Sequence, residues 1–147
     1  MRFKMNIKKL SDKAVIPTYG SEVAAGADLY ACFDCEELEL APHETRLVGT
    51  GIAMEIPEGM VGLVYARSGL AAKKDLAPAN KVGVIDSDYR GEIKVALHNH
   101  GETVRSVARG ERIAQIVFAP YYTAEFEESD TLCETVRGEG GFGSTGK

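Results

Sequence analysis

The sequence predicts an all-β domain, a sandwich, barrel or jelly roll, with one short helix. Three observations carry this. Apolar side chains recur at every second position, as Ile52, Met54 and Ile56, as Val61, Leu63 and Tyr65, and as Ile93, Val95 and Leu97, which is the spacing of half-buried strands. Turn signals interrupt these runs at short intervals, at Ala41-Pro42, Ile56-Pro57-Glu58-Gly59, His100-Gly101 and Arg109-Gly110, as they do in closed or double-layered β folds. Sixteen glycines among 147 residues favour many turns over a helical bundle.

Taken along the chain, the N-terminus MRFKMNIKKL is basic but lacks the apolar region and cleavage site of a secretory signal. No stretch approaches the roughly 18 apolar residues of a membrane span. A cytoplasmic protein with no membrane partner is expected. The three alternating runs follow, and between the second and third the only helical pattern covers Gly69 to Leu76. Cys32 and Cys35 are the one close pair among three cysteines, which makes neither a disulfide framework nor a four-ligand zinc site. No repeat or linker divides the chain, and its length fits a single domain. That domain is expected over residues 1–136, followed by an arm at 137–147.

The net charge of −5 and a pI near 5.2 argue against a protein that binds by neutralising nucleic-acid phosphates. The charge is uneven: residues 124–139 hold six acidic side chains and one basic. Half of the last ten residues, GEGGFGSTGK, are glycine, so the arm has no apolar period with which to form a strand or helix and is expected to be flexible.

Several constellations could carry chemistry. Gly138 to Gly143 matches the dinucleotide fingerprint in form, and Gly141 with Gly146-Lys147 matches part of a P-loop. Neither has the strand and helix that those motifs need. What remains is a run of small residues whose backbone N–H groups can approach an anion. Ala66-Arg67-Ser68-Gly69-Leu70-Ala71 follows a strand and opens the helix; its guanidinium fork, hydroxyl and glycine suit a triphosphate seat, or a surface turn. Gly83 to Gly91 is hairpin-like and holds Asp86, Asp88 and Tyr89. Its carboxylates could bind a metal, activate water, or cap the turn. His98 and His100 share a strand face, and with no third donor nearby they read as exposed strand-end residues.

In order, these segments resemble the five motifs of the trimeric deoxyuridine triphosphate nucleotidohydrolase (dUTPase) family. Ala25-Gly26-Ala27-Asp28-Leu29 is similar to the first and Arg67 to Ala71 to the second. Gly83 to Gly91, with Asn80 upstream, is similar to the third, Gly110 to Gln115 to the fourth, and Arg137 to Gly146 to the fifth. The resemblance implies a jelly-roll protomer and a homotrimer whose subunits share active sites. The implied reaction converts dUTP and water to dUMP and pyrophosphate, with magnesium (Mg2+) held mainly by the triphosphate and waters. Such an enzyme limits uracil incorporation into DNA and supplies dUMP for dTMP synthesis.

By the same resemblance Asp86 is the general base for the attacking water, and Asp28 supports the metal through water without being a direct ligand. Arg67, Ser68, Gly69 and Gln115 contact phosphates. Asn80 and the backbone around Val84, Ile85 and Lys94 accept uracil, and Tyr89 packs on deoxyribose. Arg137, Phe142, Gly143, Ser144 and Thr145 belong to the arm that closes over the substrate. Two alternatives stay open: a dCTP deaminase-like enzyme of the same fold, and a silent nucleotide-sensing trimer that regulates a protein partner.

Overall fold

The computed structural model describes residues 3–142. Twelve strands and one helix are present among them: β1 (Ile7–Lys9), β2 (Thr18–Tyr19), β3 (Ala27–Tyr30), β4 (Glu37–Leu40), β5 (Thr45–Gly49), β6 (Ile52–Met54), β7 (Met60–Tyr65), α1 (Ser68–Lys74), β8 (Leu76–Pro78), β9 (Gly83–Ile85), β10 (Lys94–Asn99), β11 (Arg105–Ala108) and β12 (Arg112–Pro120). All strand pairs are antiparallel. The largest sheet has the order β2-β3-β12-β7-β9 and a second has the order β5-β10-β8, with β1-β6 and β4-β11 as two-stranded ribbons. Sequence neighbours are rarely sheet neighbours, as a jelly roll requires.

The core lies between these sheets and is aliphatic, with Leu29, Leu40, Ile52, Leu76, Leu97 and Ile116 fully buried. Ile93, Val95 and Leu97 point into it as the alternation predicts. In β7 the alternation holds but the buried face is the other one. Gly62 and Val64 face the core, while Val61 and Leu63 are half-buried and Tyr65 is exposed on the outer face. The strand is apolar on both sides, and its inner face is thinned to glycine because Ile56 and Ile116 crowd Gly62.

The helix spans Ser68–Lys74 rather than Gly69 to Leu76. It stops because Asp75 adopts the left-handed conformation, φ 55° and ψ 23°, and Leu76 then starts β8 with its side chain fully buried. One buried polar group pins the corner after β10. The Asn99 amide donates to the carbonyls of Leu40, Ala41 and Thr103 at 2.8–3.1 Å and accepts from the Gly101 N–H at 2.9 Å, so it is satisfied where an unpaired amide would cost about 1–3 kcal/mol.

After Pro120 no helix or strand forms among the described residues. Tyr122, Phe126, Leu132, Val136 and Phe142 are almost fully exposed there.

Candidate active site

Three central strands of the five-stranded sheet align one row of side chains. Asp28 of β3 stands opposite Gln115 of β12, and Gln115 stands opposite Tyr65 of β7. Directly opposed residues share a face, here the outer one. Two residues past Tyr65 is Arg67, whose Nε donates to Asp28 Oδ1 at 2.7 Å and whose Nη1 donates to the Arg112 carbonyl at 3.3 Å. The Arg112 guanidinium holds the other Asp28 oxygen, Nη1 to Oδ2 at 3.2 Å. Asp28 is thus clamped between two arginines and is itself largely covered.

Arg112 reaches this face through a β-bulge. Strict alternation would put residues 112 and 115 on opposite faces, but the register shifts between Arg112 and Ala114. Ile113 and Ala114 both turn inward, and Arg112 is brought round to the side of Asp28. Gln115 is fixed as well, its Nε2 donating to the Ala66 carbonyl at 2.9 Å. Its amide fills the space beside Gly26, where a Cβ would stand 2.3 Å from Oε1. Gly26 is required for close approach.

Ser68 and Gly69 are exposed at the start of α1, whose N-cap residue Arg67 makes no side-chain cap. Helix starts leave backbone N–H groups without intrahelical partners. Clamped arginine, uncapped N–H groups and a fixed glutamine amide make a donor set suited to an anion of several oxygens.

The other expected site residues stand at the far end of β7. β9 is the edge of the sheet, bonded only to β7, with Ile85 opposite Gly62 and Gly83 opposite Val64. Its free edge presents main-chain donors and acceptors. Asn80, in the turn before β9, has its amide beside Gly83. Val84 points outward and is 61% exposed, and Ile85 turns toward the core. Asp86 is exposed at the rim of a cleft of about 560 Å³ that Glu58, Ser87, Arg90 and Tyr121 also line. Lys94 starts β10, which pairs with β5 and β8 and not with β9, so the hairpin expected around Gly83 to Gly91 is a loop between two sheets. Tyr89 lies on that loop, its hydroxyl donating to the Glu92 carbonyl at 3.0 Å.

Asp86 does not sit beside the arginine seat of its own chain. It lies about four residues along the strands and three strands across from Asp28, at about 3.3 Å per residue and 4.8 Å per strand a separation of roughly 20 Å. Of the arm, Arg137 donates to the Gly140 carbonyl at 2.8 Å and Phe142 is exposed. Gly143, Ser144 and Thr145 lie outside the described residues.

His98 and His100 pack edge-on with ring centroids 4.4 Å apart, and His98 Nδ1 is 2.8 Å from the Thr45 hydroxyl. Partial burial, and then the charge of His98, hold His100 below the usual imidazole value. Among the described residues no group of three or more His, Cys, Asp or Glu is arranged around a metal position, and no helix is long and apolar enough to cross a membrane.

The fold is a jelly roll with two arginines and a glutamine fixed on one outer sheet face, a donor set of the kind that suits an anion. Residues 12–146 match the dUTPase family model, so the chain belongs to the dUTPase family. It is 49% identical over 144 residues to the deoxyuridine 5'-triphosphate nucleotidohydrolase of Nautilia profundicola, covering 98% of this chain and 99% of that one. It is 54% identical over 137 residues to that of Desulfitobacterium hafniense, covering 92% and 90%. The dUTPase of Staphylococcus bacteriophage 80alpha with dUPNHPP superposes with a TM-score of 0.90 at 30% identity, over 98% of this chain and 99% of that one.

Proposed function

We propose that this chain hydrolyses dUTP to dUMP and pyrophosphate in sites that are completed by other copies of itself, as a homotrimer in the cytoplasm. The observation that carries this reading is the distance between Asp86 and the arginine seat on one chain. A triphosphate cannot touch both ends of that face, so one copy must lend Asp86, and the uracil-accepting edge of β9, to the seat of another. The ground between the two ends supports the same reading: Val117, Leu63 and Val84 form an apolar row across β12, β7 and β9, partly exposed in the single chain and suited to cover by a neighbour.

In the shared site Arg67, Gln115 and the first N–H groups of α1 hold the phosphate oxygens. Asn80 and the β9 main chain accept uracil, and Tyr89 lies against the deoxyribose. Asp86 takes a proton from the water that attacks the α-phosphorus; the new P–O bond forms as the bond to the bridging oxygen breaks, and pyrophosphate leaves in line. Both oxygens of Asp28 are engaged by arginines, so its carboxylate suits an indirect role through water, as in a site where magnesium rides on the substrate. Magnesium bound with the triphosphate would neutralise charge on its oxygens.

Residues 137–147 act as an arm over the nucleotide, with Phe142 on the base, Arg137 on the phosphates and Gly143, Ser144 and Thr145 at the γ-phosphate. The exposed apolar side chains between Tyr122 and Phe142 fit a segment that docks on another copy. A pyrophosphate-release assay across dUTP, dCTP, dTTP and UTP tests the reading. Turnover of dUTP alone is expected. Ammonia release from dCTP, or binding without turnover, would contradict it.

A further inference from the structure

Tyr89 is 44% exposed, yet its ring is held on two sides. Beneath it lies Gly91, where a Cβ would stand 2.5 Å from the tyrosine oxygen and 2.6 Å from Cζ, closer than packed atoms tolerate. Only glycine leaves the ring its floor. The hydroxyl donates to the Glu92 carbonyl at 3.0 Å, and that carbonyl is itself immobilised. Glu92 turns its side chain back to the β5–β6 turn, where Oε1 accepts the Gly51 N–H at 2.9 Å. Its carboxylate occupies space that a Cβ on Gly49, 2.4 Å from Oε1, would take. Gly51 has φ +67°, the left-handed region that favours glycine.

The tie continues into the core. Ile93, almost fully buried, donates its N–H to the Ile52 carbonyl at 2.9 Å, and its own carbonyl accepts from the Thr50 N–H at 3.2 Å and hydroxyl at 2.6 Å. A continuous path of hydrogen bonds and close glycine contacts therefore runs from the buried β6 strand to the tyrosine hydroxyl. Neither Glu92 nor Gly91 has a place in the nucleotide contacts derived above.

We infer that Glu92 and Gly91 are positioning residues for sugar selection: the seated carboxylate of Glu92 fixes the carbonyl that anchors Tyr89, and Gly91 lets the ring lie down. This rests on the dUTP reading and deepens it. A ribose differs from a deoxyribose by one 2′-hydroxyl, and a steric wall rejects that group only if the wall does not yield. An exposed ring on an untied loop would swing aside at small cost, whereas a ring already ordered loses little further freedom when substrate arrives.

The test is kcat/KM for dUTP and for UTP in the assembled enzyme and in Glu92→Ala, Glu92→Gln and Gly91→Ala, with a thermal melt of each. Glu92→Ala should lower the dUTP-to-UTP ratio about fivefold, the worth of roughly one neutral hydrogen bond. In Glu92→Gln the amide oxygen still accepts from Gly51, and the ratio should stay within about twofold of the parent. Gly91→Ala, on an exposed loop, should lower the ratio at an unchanged melting temperature and carries the test if Glu92→Ala fails to fold. Unchanged ratios in Glu92→Ala and Gly91→Ala, or equal damage from Glu92→Gln and Glu92→Ala, would overturn the inference while leaving dUTP hydrolysis intact. A parent enzyme with no preference for dUTP over UTP would instead overturn the Tyr89 reading, and the inference with it.

Discussion

The two ends of β7 are built differently. At the Tyr65 end, Asp28, Arg67, Arg112 and Gln115 are cross-tied within one chain at 2.7–3.3 Å. At the Met60 end, Asp86 is exposed at an open cleft, and no hydrogen bond reaches its carboxylate among the described residues. A seat for an anion of several charges gains from arginines fixed in advance, because much of their ordering is already complete when the ligand arrives. A base must instead face a mobile water. In the proposed assembly the single chain preorganises binding and leaves the proton acceptor for another copy to use.

Breaking the open end should have the largest effect. Asp86→Asn keeps the shape but removes the proton acceptor, so turnover should fall by about 10²- to 10⁴-fold while a non-hydrolysable dUTP analogue still binds in a calorimeter. If Asp88→Asn is the more damaging substitution, the base is misassigned. Deleting residues 137–147 should leave the fold and assembly intact and still lower turnover by orders of magnitude. Ordering a glycine-rich arm costs about 1–2 kcal/mol of backbone entropy per residue, and bound substrate must offset it. Loss of folding on deletion would make the arm structural.

At the rim of the cross-tied end, away from Arg67, the effect should be milder. Arg112 is half-exposed, so solvent screens its pair with Asp28, and Arg112→Ala should lower kcat/KM by about two- to fivefold, chiefly through KM. The smallest effect concerns stability. His100 is held below the ordinary imidazole value of 6.5 by partial burial first, then by His98 and Lys81, with Asp75 opposing. The folded chain thus resists a proton that the unfolded chain accepts, and stability falls as pH drops below 6.5. His100→Asn should flatten the fall in urea midpoint between about pH 7 and pH 5, and an unchanged slope would remove His100 from the account.

Much of this was legible in the sequence. The run at 93–97 alternates as its burial does, because one face meets the core, whereas over 52–56 Ala53 is buried along with Ile52, Met54 and Ile56. The run at 61–65 misleads about its buried face because both faces are apolar, one for the core and one for the outer surface. The segments carrying Asp28, Arg67 and Gln115 stand out as motifs, but their joining into one seat depends on strand order, which local spacing does not encode. Arg112 has a faint signal in the adjacent pair Ile113-Ala114, where two inward residues break the alternation and mark the bulge. Glu92 has no such signal, because its partners Gly49 and Gly51 are about forty residues away and matter only through the space they leave.

If one site draws Arg67 and Asp86 from different chains, two defective chains should complement each other. Arg67→Ala and Asp86→Asn chains, each inactive alone, are mixed in equal amounts, unfolded and refolded together. Random assembly should restore about a quarter of the sites, those that pair an intact Arg67 from one copy with an intact Asp86 from another. Recovery of dUTP hydrolysis near that fraction is the predicted result, and a mixture as inactive as its parts would contradict the account.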